Sequence, residues 1–186
     1  MSDQQRQRPL IYLAGFMGSG KSTIGPILAN TLGFPFVDVD QLIQQRAGRS
    51  INAIFSELGE QGFRAIEQDV LKNVSAMENG VVSLGGGTLA NEENFRLIHE
   101  RGLIVYLRVS SEEAARRMRN KTDRPLLHDG EGNRLDEASL KRRVEELMKR
   151  REEFYNRADV IVAAEHKRVG VTVDEIVRHL RLLTRL

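Results

Sequence analysis

Short apolar segments alternate along the chain with longer segments in which apolar residues recur at helical spacing. The apolar segments predict five strands, at residues 10–14, 34–39, 81–84, 103–107 and 158–163. The segments between them predict helices, and Phe63, Ile66, Val70 and Val74 share one face of such a helix. Strands that alternate with helices are typical of a doubly wound parallel sheet. The pattern therefore predicts a three-layer α/β fold, with a five-stranded parallel sheet between flanking helices.

Local sequence signals predict where some of these helices begin or break. Gly59 is predicted to interrupt a helical segment between residues 51 and 77, because glycine destabilises a helix interior. Ser110 with Glu113, and Thr172 with Glu175, match the capping-box pattern. These two pairs predict that helices begin directly after Ser110 and Thr172.

The first strand leads into Gly15–Ser22, which matches the phosphate-binding pattern G-x-x-x-x-G-K-[ST]. Its glycines let backbone N–H groups surround an anion, and the following helix N-terminus favours negative charge. Lys21 is expected to bridge the β- and γ-phosphates, and Ser22 to offer its hydroxyl to Mg²⁺. The motif predicts that the protein binds a nucleoside triphosphate with Mg²⁺. The residues predicted to contact this ligand are Gly18, Ser19, Gly20, Lys21, Ser22 and Thr23.

Two further motifs follow predicted strands and are expected to face the P-loop. Asp38 and Asp40 end the second strand, where side chains two residues apart share a face. One carboxylate could hold Mg²⁺ through water and the other could accept a hydrogen bond from a substrate hydroxyl; the alternative is a strand end that caps a helix. Gly85–Gly87 follow the third strand, and three glycines there favour close approach of a ligand or of backbone. In parallel sheets the ligand lies beyond the carboxyl ends of the strands.

Arg64 and Glu67 are neighbours on a predicted helix. One interpretation is an arginine that binds a substrate carboxylate and is held in place by Glu67. The other is a solvated ion pair on the protein surface. The spacing alone does not decide between them.

Six sequence features occur together and in order, and their combination resembles the shikimate kinase family, within the nucleoside-monophosphate-kinase-like group. They are Gly15–Ser22, Asp38–Asp40, Phe63–Glu67, Leu84–Thr88, Arg124–Leu127 and the pair Arg151 and Tyr155. The resemblance covers most of the chain. It implies transfer of the γ-phosphate of ATP to the 3-hydroxyl of shikimate, with Mg²⁺, in aromatic amino acid biosynthesis.

The resemblance also implies roles for individual residues. Lys21, Asp40 and Arg124 would be catalytic, with Arg124 on a closing lid, and Ser22 and Asp38 would hold the metal. Arg117 and Arg168 would flank adenine, and Arg124 would also contact the nucleotide. The implied substrate residues are Asp40, Phe55, Phe63, Arg64, Glu67, Gly85, Gly86, Gly87 and Arg151. The implied organisation is a single domain over residues 1–186, with a substrate-binding helical lobe at 41–77 and a mobile lid at 119–136.

Composition excludes several other classes of function. The chain has no cysteine, which excludes disulfides and thiolate chemistry. Its net charge of +2 does not indicate a polyanion partner, and the basic clusters at 141–143 and 149–151 are balanced by nearby acidic residues. No apolar run approaches the roughly 20 residues that span a bilayer. We therefore expect a cytoplasmic monomer that binds neither nucleic acid nor membrane.

Two alternatives to a shikimate kinase stay open from the sequence. A related small-metabolite kinase, such as a gluconate kinase, would also use a P-loop and a lid. A non-catalytic nucleotide binder would bind the nucleotide without turnover, and it would have no need of Asp40, Arg64 or Arg151.

Overall fold

The computed structural model describes residues 10–119 and 135–184. These residues form a parallel sheet with the strand order β2-β3-β1-β4-β5. The strands are β1 (Leu10–Ala14), β2 (Phe36–Asp38), β3 (Gly80–Ser83), β4 (Gly102–Arg108) and β5 (Val160–Ala163). Every neighbouring pair is parallel, which confirms the predicted five-stranded α/β fold.

Helices connect the strands and cover both faces of the sheet. They are α1 (Lys21–Leu32), α2 (Val39–Ala47), α3 (Ile51–Val74), α4 (Glu92–Arg101), α5 (Ser111–Met118), α6 (Glu137–Asn156) and α7 (Val169–Leu183). A short 3-10 turn, Thr88–Ala90, precedes α4. The predicted lid at 119–136, with Arg124, lies almost entirely outside the described residues and stays a prediction.

Apolar side chains on the two faces of the sheet form two buried clusters. Along β1, Ile11 and Leu13 belong to one cluster and Leu10 and Tyr12 to the other, because successive side chains of a strand point to opposite faces. The first cluster packs mainly against α1, α5, α6 and α7, and the second mainly against α2, α3 and α4. This is the predicted three-layer arrangement.

The order of the strands brings the sequence motifs to one edge of the sheet. Ser83, the last residue of β3, pairs with Leu13 of β1 on one side and with Asp38 of β2 on the other. The P-loop follows β1 and Gly85–Gly87 follow β3. Both segments therefore leave the sheet at the same edge as Asp38, with β3 lying between β1 and β2.

The second strand ends earlier than its apolar pattern predicts. Asp38 is its last residue, and the Asp38 carboxylate accepts a hydrogen bond of 3.2 Å from the Gln41 backbone N–H. This cap begins α2 at Val39, so Asp40 lies in the first turn of a helix. The expectation that both carboxylates share one strand face is wrong. The alternative, a strand end that caps a helix, describes Asp38.

Two predictions about helix geometry have opposite outcomes. Gly59 interrupts α3 with φ of 68°, a left-handed value that suits glycine, as predicted. The capping box at Thr172 is wrong, because α7 begins at Val169, four residues before the predicted start at Val173. Thr172 is therefore inside the helix, and Glu175 pairs instead with Lys167, at 2.6 Å.

One of the two hydrogen bonds of the predicted capping box at Ser110 is present, and the other is replaced. The Ser110 hydroxyl accepts from the Glu113 N–H at 3.3 Å, and α5 begins at Ser111 as predicted. The Ser110 N–H donates to Glu165 at 3.0 Å rather than to Glu113. Glu113 binds two arginines of its own helix.

Among the helices in the described part of the chain, none combines the length and the apolar character needed to cross a lipid bilayer.

Candidate active site

A cavity of about 460 Å³ opens at the carboxyl end of β1, and we call it the P-loop cavity. Every P-loop residue predicted to contact the nucleotide lines it, together with Asp38, Asp40 and Arg117. The remaining lining residues are Met17, Ile24, Ser83, Leu84, Gly86, Met118, Ala164, Lys167, Val169 and Thr172. Ser83 was missed by sequence reasoning, although its place at the end of the strand beside β1 is a signal that could have identified it.

The backbone of the P-loop is shaped for an anion. Gly18 and Gly20 have φ of 81° and 102°, which other residues rarely adopt. A side chain on Gly15 would lie 2.6 Å from the Ser19 hydroxyl. That hydroxyl is the one buried side-chain polar atom without a hydrogen-bond partner within residues 10–119 and 135–184. A buried donor beside this cavity fits a phosphate ligand, which supplies acceptor oxygens.

Lys21, the first residue of α1, places its ammonium group against the P-loop. Its Nζ donates to the backbone carbonyls of Gly15 at 2.7 Å and Phe16 at 3.2 Å. Ser22 and Thr23 are exposed in the same first helical turn, where the helix dipole favours anions. The ammonium group and the helix N-terminus therefore supply positive charge at the same end of the P-loop cavity.

Oxygen ligands that suit Mg²⁺ adjoin this positive end. Ser22, Asp38 and Asp40 line the P-loop cavity and also a smaller one of about 230 Å³. In the described residues no group of three or more His, Cys, Asp or Glu could hold a metal. The arrangement fits Mg²⁺, which usually takes one or two protein oxygens and completes its coordination with water and phosphate.

A second cavity, of about 60 Å³, adjoins the P-loop cavity, and we call it the arginine cavity. The two cavities share Met17, Asp40 and Gly86 as lining residues. The structure brings together in the arginine cavity every substrate residue implied by the resemblance. They are Asp40, Phe55, Phe63, Arg64, Glu67, Gly85, Gly86, Gly87 and Arg151. Helix α3 supplies much of the wall.

Arg64 is held by a buried hydrogen-bonded network rather than by a solvated pair. Its Nη1 donates to Glu67 at 2.7 Å, and the Glu67 side chain is 0% exposed. The Thr88 hydroxyl donates to the other Glu67 oxygen, also at 2.7 Å. Burial alone would lower the pKa of Arg64, but Glu67 and Glu60 outweigh burial and raise that pKa. The guanidinium is therefore a fixed positive charge at the edge of the arginine cavity.

Gly85 and Gly87 allow charged side chains to approach the backbone closely. A Cβ atom on Gly85 would lie 3.0 Å from an Asp40 oxygen and 3.1 Å from a Glu67 oxygen. A Cβ atom on Gly87 would lie 2.7 Å from Arg64 Nη2. The three glycines predicted close approach of a ligand or of backbone. In the structure, the groups that approach Gly85 and Gly87 are side chains of the site itself.

Arg151 and Tyr155 of α6 both bind the carbonyl of Gly86. Arg151, which is 6% exposed, donates from Nη1 at 3.0 Å, and the Tyr155 hydroxyl donates at 2.5 Å. The Tyr155 ring stacks on Tyr106, with ring centres 4.7 Å apart. Burial raises the pKa of Tyr155 to about 12, so its hydroxyl stays protonated and remains a donor at neutral pH.

Arg117 connects the P-loop with the segment after β5. Its guanidinium donates to the carbonyl of Gly18 at 2.7 Å, to the carbonyl of Ala164 at 3.3 Å and to Glu113 at 2.6 Å. Hydrogen bonds from Arg116, which has the larger effect, and from Arg117 lower the pKa of Glu113 to about 2. Arg117 is therefore oriented from three sides where it lines the P-loop cavity.

The segment after β5 does not place Arg168 in the cavity wall. Arg168 is exposed directly before α7, whereas Lys167 and Val169 on either side of it line the P-loop cavity. Its role at adenine stays a prediction. Nothing in the sequence distinguished Lys167 from Arg168, since both are basic residues of one short loop.

Comparison with known proteins gives a consistent result. A family model described as "Shikimate kinase" matches residues 17–181. A shikimate kinase of Chlorobium chlorochromatii is 47% identical over 95% of this chain and 93% of its own length. The chain is also similar to a solved shikimate kinase from Acinetobacter baumannii in complex with shikimate (30% identity, TM-score 0.86, 95% of each chain). The shikimate kinase structure from Aquifex aeolicus is 41% identical, with a TM-score of 0.77, over 92% of this chain and 95% of that one.

The family model spans nearly all of the described site, from Met17 in the P-loop to Val169 at the start of α7. The relatives extend over almost the whole chain at identities well above the level at which only the fold is shared. On these grounds the chain belongs to the shikimate kinase family.

Proposed function

We propose that this protein transfers the γ-phosphoryl group of ATP to the 3-hydroxyl of shikimate, giving shikimate 3-phosphate and ADP in aromatic amino acid biosynthesis. One observation carries the proposal: the P-loop cavity, with Lys21, meets the arginine cavity, with Arg64 and Arg151, at Asp40 and Gly86. A substrate hydroxyl at this junction would lie beside the end of a triphosphate held by the P-loop. Phosphoryl transfer depends mainly on such positioning and on charge stabilisation.

The arginine cavity is suited to a small cyclic acid with several hydroxyls. Arg64 and Arg151 offer planar guanidinium groups, which bind carboxylates with two hydrogen bonds. Phe55 and Phe63, with ring centres 4.7 Å apart, give the cavity an apolar wall. Asp40 lies at the end that faces the P-loop, where its carboxylate would accept a hydrogen bond from the attacking hydroxyl.

The P-loop cavity would hold ATP and Mg²⁺ by the residues already described. Ser22 and Asp38 would hold Mg²⁺, Asp38 through water, and the metal would neutralise phosphate charge. Lys21 would stabilise the γ-phosphoryl group during transfer, and Arg117 would lie along the nucleoside. Arg124 would add positive charge from the lid. A cytoplasmic location and a monomeric state also remain predictions from the sequence.

An assay of several acceptors tests the proposal directly. With ATP and Mg²⁺, we expect ADP release in the presence of shikimate and little release with gluconate or nucleoside monophosphates. Mass spectrometry of the acceptor should show one added phosphate. Turnover of gluconate alone would establish the related metabolite kinase instead. Nucleotide binding without turnover of any acceptor would establish a non-catalytic binder.

Tyr155 offers a test of whether the position of the Gly86 backbone in the arginine cavity affects substrate binding. The Tyr155→Phe variant keeps the ring on Tyr106 but removes one of the two donors to the Gly86 carbonyl. One hydrogen bond contributes about 0.5–1.5 kcal/mol, so we expect the KM for shikimate to rise about three- to tenfold. Steady-state kinetics with each substrate varied should show a smaller change in the KM for ATP.

Tyr106→Phe is the matched control for this variant. Its ring forms the other half of the stacked pair, and its hydroxyl is not the donor to Gly86. We expect this variant to keep the wild-type KM for shikimate. A similar rise in both variants would mean that packing of the rings, rather than the bond to Gly86, sets the affinity.

A further inference from the structure

The segment between β5 and α7 forms part of the wall of the P-loop cavity. Hydrogen bonds to residues of neighbouring elements hold this segment in position. Ala164 and Lys167 line the cavity. Between them, the Glu165 carboxylate accepts two hydrogen bonds from Ser110, at 2.8 Å from the hydroxyl and 3.0 Å from the backbone N–H. Ser110 caps α5, so Glu165 ties the cavity wall to the start of that helix.

The same segment has a second attachment to α5. Arg117, in the last turn of that helix, donates to the Ala164 carbonyl. The Ala164 N–H donates to the carbonyl of Arg108, at the end of β4, at 2.8 Å. The other arm of the Arg117 guanidinium binds the P-loop at Gly18. Helix α5 therefore holds the segment at Ala164 and Glu165, and holds the P-loop through the same arginine.

A strained turn lies directly after Glu165. His166 has φ of 57°, the only positive value at a residue other than glycine in the described residues. A left-handed conformation at such a residue costs about 1 kcal/mol or more and persists when its surroundings enforce it. On one side of the turn Glu165 binds Ser110, and on the other Lys167 binds Glu175. These two contacts fix the turn that sets Lys167 at the cavity.

The contact between Glu165 and Ser110 has the character of a charge-assisted bond. The N–H and the hydroxyl of Ser110 lower the pKa of Glu165, so its carboxylate is ionised at neutral pH. Hydrogen bonds to a charged acceptor are about twice as strong as neutral ones. A carboxylate at a helix N-terminus also interacts favourably with the helix dipole.

We infer that Glu165 is a positioning residue for the nucleoside part of ATP, acting through its bonds to Ser110. This inference rests on the proposed function. The P-loop accounts for the phosphates, and the arginine cavity accounts for the acid. The wall formed by Arg117, Ala164, Lys167 and Val169 is left for the nucleoside. Glu165 keeps that wall in place without lining the cavity itself.

The test compares variants at both ends of the contact in the full-length protein. Glu165→Ala removes the acceptor, and Glu165→Gln keeps its shape but not its charge. Ser110→Asp keeps a helix-capping side chain but replaces the donor hydroxyl with a second carboxylate. Glu112→Ala is the control, because Glu112 is exposed in the same turn of α5 and, among the described residues, pairs with Lys141 and Ser111 rather than with the segment after β5.

We expect the Kd for ADP, measured by calorimetry without shikimate, to rise about tenfold in Glu165→Ala and Ser110→Asp, and less in Glu165→Gln. The KM for ATP should rise in parallel, while kcat and the KM for shikimate stay within about twofold. The Glu112→Ala control should match the wild type. Thermal unfolding curves check that each variant is folded.

Two outcomes would overturn the inference. One is an ADP affinity that does not change in Glu165→Ala, and the other is an equal loss for both substrates, which indicates a general structural role. The proposed function fails in a different way, because then the wild type binds ADP but does not phosphorylate shikimate. Calorimetry with ADP alone therefore keeps the two conclusions separate.

Discussion

Replacing Lys21 with methionine is expected to lower kcat about a hundred- to a thousandfold, which is the usual loss when one group that stabilises transition-state charge is removed. The Lys21 ammonium lies at the P-loop carbonyls of Gly15 and Phe16, beside the helix N-terminus where the terminal phosphates would bind. Methionine has a similar length and no charge. It therefore removes charge stabilisation during transfer while filling the same space.

The measurement is kcat at saturating ATP and shikimate, with circular dichroism and thermal unfolding to show that the fold is retained. Lys72→Met is the matched control, because Lys72 lies exposed in the last turn of α3, away from both cavities. It should keep wild-type kcat. Near-normal turnover in Lys21→Met would mean that the P-loop lysine does not act on the transferred phosphate.

The alternation of apolar and amphipathic segments was enough to predict the sheet. Strands that are buried on both faces are continuous apolar runs, so the local sequence is enough to locate them. Their parallel pairing predicts that the P-loop, Asp38 and Gly85–Gly87 lie at one edge of the sheet. What the pattern could not predict was the end of β2, because it depends on one bond from Gln41 to the Asp38 carboxylate.

Contacts between distant residues explain the other errors. The local capping pattern at Thr172 misplaced the start of α7, which begins at Val169 without a side-chain cap. Glu165 and Ser110 are 55 positions apart in sequence, and their bond helps to fix the loop from which α7 starts. Likewise, Arg64 and Glu67 form a surface-like pair in sequence. Glu67 is nevertheless buried, and its partners include the hydroxyl of Thr88, 21 positions away, which the local pattern does not reveal.

The second large effect is expected at Arg64. The Arg64→Ala variant removes a guanidinium that would bind the shikimate carboxylate, and loss of one member of a hydrogen-bonded charge pair costs about 2–5 kcal/mol. We therefore expect the KM for shikimate to rise about a hundredfold, with little change in the KM for ATP. Arg46→Ala, which breaks an exposed pair with Asp69, is the control and should change neither constant.

Arg64→Ala also leaves Glu67 buried without its cation, so the free energy of unfolding should fall by about 3 kcal/mol. A double variant separates this structural effect from substrate binding. Adding Glu67→Gln removes the uncompensated charge and leaves the amide oxygen to accept from Thr88, so stability should largely return. The KM for shikimate should nevertheless stay high, because the guanidinium is still absent. If stability and shikimate affinity returned together, Arg64 would act only by holding Glu67, and recognition of the acid would fall to Arg151 alone.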